Sequence, residues 1–299
     1  MTDFVLTDDE LPAFATDLGL PGLFDVHTHF MPDRIQQAVW AHFDDLHDPA
    51  WPIHYRLPED ERMDLLGKLG IIRHTALAYA HRPGVAAWLN EHTLAVAAEH
   101  PQVVPTFTLY PEPEAAEYVT AALDAGGRCV KVHLQVGKFD LADPLLDEAW
   151  ATLERARTPI ILHLAAVGDG SGGEEFCGAH ALWRLLERHP DLRPVIAHLG
   201  APGAAAELFE RASELPELRF DTAMAVLPAP RLWTPPPWLR DRLGEFADRI
   251  MFGSDYPTVP SPLADQVAAL VAFDLGEDWL RAVLWQNAAE LFGAGDSPG

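Results

Sequence analysis

Eight short apolar runs, each followed by a stretch able to form a helix, recur along these 299 residues and limit what the chain can fold into. The runs are Leu23–His27, Ile71–Tyr79, Val103–Tyr110, Cys129–Leu134, Pro159–Leu164, Pro194–Leu199, Leu218–Met224 and Arg249–Tyr256. Helices are expected between them, over Pro58–Leu69, Ala87–Glu99, Pro113–Ala125, Pro144–Arg157, Cys177–Arg188, Ala204–Leu215 and Pro237–Phe246. Two more follow the last run, over Ser261–Phe273 and Trp279–Phe292. Strands separated by helices pair in parallel through right-handed crossovers. Eight repeats in one chain of this size predict an α/β fold, a (β/α)8 TIM barrel, as a single domain over 1–299. Residues 1–20 would be a lead-in and 293–299 a tail. An open sheet binding a nucleotide would need a glycine-rich fingerprint after the first strand, and none is there.

In such a barrel the reacting groups lie at the C-terminal ends of the strands. Those ends carry His27 and His29, Lys131 and His133, His163, His198 and Asp255. On an extended backbone alternate side chains share a face, so His27 and His29 point the same way, as do Lys131 and His133. Imidazole nitrogen and carboxylate oxygen are good ligands for zinc and similar divalent ions. Each of these residues alone could be a polar group at a strand tip; the matching positions of several point to a metal site.

Composition narrows the partners. The net charge of -24 argues against nucleic acid and against an anionic membrane surface, both of which need a basic footprint. The 48% hydrophobic content can supply a sizeable core. The two cysteines, Cys129 and Cys177, are expected to stay unpaired, which suits a reducing cytoplasm. The start, Met1-Thr2-Asp3-Phe4, has no basic region before an apolar run, so no signal peptide is expected. No apolar run approaches the ~20 residues of a membrane span. The expected partner is a small-molecule substrate, and a homodimer is allowed by the proline-rich stretch Leu227–Pro237, which suits a flap or a subunit contact.

The motifs Asp25-Val26-His27-Thr28-His29, Val130-Lys131-Val132-His133, Ile161-Leu162-His163, Ile196-Ala197-His198-Leu199-Gly200 and Phe252-Gly253-Ser254-Asp255-Tyr256-Pro257 occur in that order, with Asn287-Ala288 near the end. The set resembles the amidohydrolase superfamily, in particular its second family, which includes aminocarboxymuconate-semialdehyde decarboxylase-like enzymes. The resemblance implies one divalent ion, zinc or alternatively manganese, held by His27, His29, His163 and Asp255. It implies that Asp255 moves a proton and that His198 orients or protonates the substrate. In related two-metal barrels a lysine at the end of the fourth strand bridges the ions, a role open to Lys131. Arg56, Tyr79, His81 and His133 are candidates for holding substrate. Two reactions suit this site: hydrolysis of a small amide, ester or lactone, which is favoured, and non-oxidative decarboxylation of a small unsaturated or aromatic acid.

Overall fold

A computed structural model describes residues 4–46, 51–166, 170–227 and 233–293. The expectations for residues 1–3 of the lead-in, for 228–232 and for 294–299 of the tail lie outside the described residues. The chain divides into two compact units, one built from 1–75 with 221–299 and the other from 76–220.

The strands are β1 (Leu23–Asp25), β2 (Ile71–Thr75), β3 (Val103–Val104), β4 (Thr106–Thr108), β5 (Cys129–His133), β6 (Pro159–His163), β7 (Arg193–Ile196), β8 (Arg219–Asp221) and β9 (Ile250–Met251). The expected third strand is split because Pro105 has no N–H to give the ladder. In the unit 76–220, β4, β5, β6, β7 and the start of β8 pair in parallel, in chain order. β5 and β6 are buried on both faces, which is why they read as near-continuous apolar runs. Helices at Ala115–Asp124, Asp147–Ala156, Ala179–Leu186 and Ala205–Arg211 link successive strands. The helix Asp147–Ala156 buries Ala149, Trp150 and Leu153 on one side, and the Trp150 indole donates to the Leu141 carbonyl at 2.8 Å.

In the other unit β1 pairs in parallel with β2. On its opposite edge, Val26 N–H donates to the Phe252 carbonyl just past β9, and Thr222 N–H donates to Met251. The helix Glu59–Lys68 closes at Gly70, whose φ of +75° is the left-handed turn that glycine allows there. A Cβ at Gly70 would sit 3.1 Å from Pro12 Cα, and its carbonyl accepts from Leu23 N–H at 2.8 Å. Asp33–Asp44 is a helix that was not expected, its Ile35, Val39 and Phe43 four residues apart on one side. Both cysteines are buried and unpaired, as expected. Among the described residues no helix is long and apolar enough to cross a membrane.

The expected final helix is three pieces: Glu277–Arg281, a π-helical turn Ala282–Gln286 and Asn287–Phe292. The π turn presents the Val283 carbonyl to Phe252 N–H at 2.9 Å, so the last helix is tied to the strand beside the site. Phe24 lies 5.8 Å from both Trp285 and Phe292, centroid to centroid. Asn287 donates through Nδ2 to the Ala247 and Ile250 carbonyls, both at 2.7 Å. Replacing Asn287 by Ala strips two backbone acceptors of their donor. We expect a loss of about 1–3 kcal/mol, read as a lower urea midpoint with unchanged slope.

Candidate metal centre

His27 and His29 follow β1, where the backbone remains extended: Thr28 bridges Tyr256, and His29 N–H donates to the Tyr256 carbonyl at 2.7 Å. The two rings therefore lie on one side, 5.2 Å apart. Asp255 joins them. Its N–H donates to the His27 carbonyl at 2.8 Å, and its Oδ1 is 3.0 Å from His29 Nε2 and 3.6 Å from His27 Nε2. Asp255 has a φ of +69°, a left-handed conformation that aspartate tolerates better than most residues. The expected strand over Arg249–Tyr256 consequently stops at Met251.

His27, His29 and Asp255 each offer an atom, all within 4.8 Å of one another, which fits a single small cation. Ligands bonded to one ion at ~2 Å must have donor atoms within roughly 4 Å. Both histidines are buried, while the Asp255 side chain stays 27% exposed, so a small molecule could approach from that side.

Two carboxylates complete this cluster, and sequence reasoning missed both. Asp221, at the end of β8, lies fully buried with Oδ2 2.9 Å from His27 Nδ1. Asp25 is also fully buried, and its Oδ1 accepts from the backbone N–H of His27 and of Ser254, both at 3.0 Å. Burial pushes the Asp25 carboxyl up to about 7, against the pull of its hydrogen bonds from Ser254 and His27. Asp25 was quoted within a motif and Asp221 stood at the seventh run; a carboxylate ending a strand in a chain with metal-type histidines is the signal that could have found them.

In the unit 76–220, register does the positioning. His133 pairs with His163 across β5 and β6, so the rings share a face and stack at 3.8 Å with a 14° tilt. Lys131 is fully buried on the same side, in register with Thr108 and Ile161. The Tyr79 ring is 4.8 Å from that of His133. His198 corrects the expected sixth strand. Ile161 pairs with Val195, so regular alternation would put Ala197, not His198, on the His163 face. Instead the strand ends at Ile196, and His198 and Leu199 take φ of 57° and 55°. That turn swings His198 back, with Nε2 3.1 Å from His163 Nδ1. His163 Nε2 is 3.1 Å from the Ala165 carbonyl.

The other two residues expected to hold substrate, Arg56 and His81, are exposed. Arg56 is 43% exposed, ion-paired with Asp44 and stacked over Trp40. His81 is exposed on the loop after β2, and burial with the neighbouring Arg82 lowers its pKa.

Gly253 makes room for the first cluster. A Cβ there would meet His27 Cβ at 2.8 Å, and Ala223 Cβ and Asp221 Cγ at 3.3 Å. Overpacking of this kind costs about 1–3 kcal/mol. We expect Gly253→Ala to lower both thermal stability and zinc affinity, measured by a melting curve and a chelator competition. Unchanged values for both would show that the site has slack.

The model of the amidohydrolase family matches residues 24–294. Solved structures match over nearly the whole chain. A TIM-barrel protein from Bordetella bronchiseptica is 20% identical, with a TM-score of 0.66, covering 91% of this chain and 99% of its own. The 5-carboxyvanillate decarboxylase of Sphingomonas paucimobilis is 16% identical, with a TM-score of 0.65 and the same coverage. A candidate 2-pyrone-4,6-dicarboxylic acid hydrolase from Pseudomonas putida is 17% identical, with a TM-score of 0.64, covering 93% of this chain and 99% of its own. No curated protein matches significantly. These likenesses establish the (β/α)8 TIM-barrel fold expected from the alternation, and the match over 24–294 establishes that the chain belongs to the amidohydrolase family.

Proposed function

We propose that the chain is a metal-dependent hydrolase of a small amide, ester or lactone. The observation that carries this reading is the convergence of His27, His29 and Asp255, with Asp255 open enough to meet a small molecule. Two imidazoles and a carboxylate suit zinc, with manganese as the alternative. The family resemblance supports His163 as a further ligand of the same single ion. A divalent ion held there would acidify water and polarise a carbonyl. Asp255 accepts the proton of the attacking water. His198 polarises the carbonyl or returns a proton to the leaving group, a role suited to an imidazole near neutral pH. His133 and Tyr79, whose rings lie 4.8 Å apart, are assigned to substrate contact, beside the fully buried Lys131.

Elemental analysis of protein purified without added metal should give one equivalent of zinc or manganese per chain, and His163→Ala should reduce it. Two equivalents would instead support a bridging Lys131. Asp255→Asn and His198→Ala should each lower turnover by ~10²–10⁴ with the circular dichroism unchanged.

A second reading, non-oxidative decarboxylation, is favoured by His29-Phe30-Met31-Pro32 and by the likeness to the 5-carboxyvanillate decarboxylase. There Asp255 or His198 would protonate the carbon that loses carbon dioxide. The metal-loaded protein, assayed in oxygen-18 water against lactones, amides, esters and aromatic acids, separates the two. Label in the product supports hydrolysis; carbon dioxide release without label supports decarboxylation.

A further inference from the structure

We infer that Asp221 is a positioning residue that selects the tautomer of His27. The inference rests on the proposed metal role of His27, although its first effect is readable without metal. Asp221 is fully buried, and both of its oxygens are engaged. Oδ1 accepts from Ala223 N–H at 3.1 Å, and Oδ2 lies 2.9 Å from His27 Nδ1. A carboxylate only accepts, so Nδ1 of His27 carries the proton and Nε2 is left with the lone pair. That Nε2 is the atom directed towards Asp255 Oδ1, at 3.6 Å. A carboxylate behind a ligating imidazole fixes the ring and raises its basicity, and its removal costs about 10–100-fold in metal affinity.

The geometry makes Asp221→Asn more informative than deletion. Ala223 N–H is an obligate donor, so the asparagine oxygen must stay where Oδ1 is now. The amide nitrogen then faces His27 Nδ1 and donates to it. This drives the imidazole proton to Nε2, the atom an ion would need. Packing is unchanged, because the two side chains have the same shape. Asp221→Ala removes the orientation without imposing the opposite tautomer.

The test uses the full chain with nitrogen-15 histidine, first stripped of metal and held well above the ordinary imidazole pKa of about 6.5. Long-range proton–nitrogen spectra should show His27 protonated on Nδ1 in the natural protein and on Nε2 in Asp221→Asn. Zinc affinity by chelator competition should then fall about 10–100-fold in Asp221→Asn and no further in Asp221→Ala, with the melting temperature of Asp221→Asn near that of the natural protein. An Nε2–H tautomer in the natural protein, or equal zinc affinity in all three, overturns the role of Asp221 and leaves the metal centre standing. If even the natural protein binds no zinc, the metal reading fails, and the tautomer spectra alone decide whether Asp221 sets the proton on His27.

Discussion

A single buried carboxylate holds the first cluster together. Asp25 receives the N–H groups of His27 and Ser254, one from each of two adjacent chain segments, and fixes their spacing at the point where β1 and the stretch after β9 stop pairing regularly. The cost is visible in its own chemistry: desolvation raises its pKa to about 7, because the charged form has lost water and gained only a few hydrogen bonds. Everything chemically useful in that unit hangs from these two backbone points. His27 is placed by one, and Asp255 follows Ser254 at the other.

The metal-type residues are held by departures from regular strand geometry. Asp255, His198 and Leu199 all take left-handed φ, which costs of order 1–3 kcal/mol per residue and persists only where the surroundings impose it. The benefit is directional. A strand alternates its side chains, so it can offer a given face only every second residue. A left-handed residue breaks that rule and lets a side chain be aimed where alternation would not send it, as His198 shows against His163. Gly253 serves the same end by absence, since any side chain there would collide with His27.

This explains what could be read from the chain itself. The alternation of strands and helices was legible because burial on both faces leaves mainly apolar runs such as Val130–Leu134 and Ile160–Leu164, broken only by Lys131, His133 and His163. The pairing of His27 with His29 followed from period-two geometry and holds. Three things were not legible. The helix Asp33–Asp44 was hidden by its mixture of proline, aromatic and acidic neighbours, although its apolar residues keep helical spacing. The strand ends at Ile196 and Met251 were set too late, because nothing in the residue types marks where the backbone leaves strand geometry ahead of the left-handed His198, Leu199 and Asp255. Asp25 and Asp221 were passed over because a carboxylate's role behind a histidine depends on which backbone groups tertiary packing brings within 3 Å of it.

The same geometry bears on which reaction is favoured. Hydrolysis and decarboxylation use one set of ligands and differ in the direction of the proton: the first needs an acceptor beside the ion, the second a donor to carbon. Asp255 has Oδ1 beside His29 Nε2 and His27 Nε2, at 3.0 and 3.6 Å, the side from which a bound cation would meet it. Its side chain is also the most exposed of the three, at 27%. A partly exposed carboxylate beside the ion suits the role proposed for Asp255, a base for the attacking water, whereas decarboxylation would require the same group to arrive protonated.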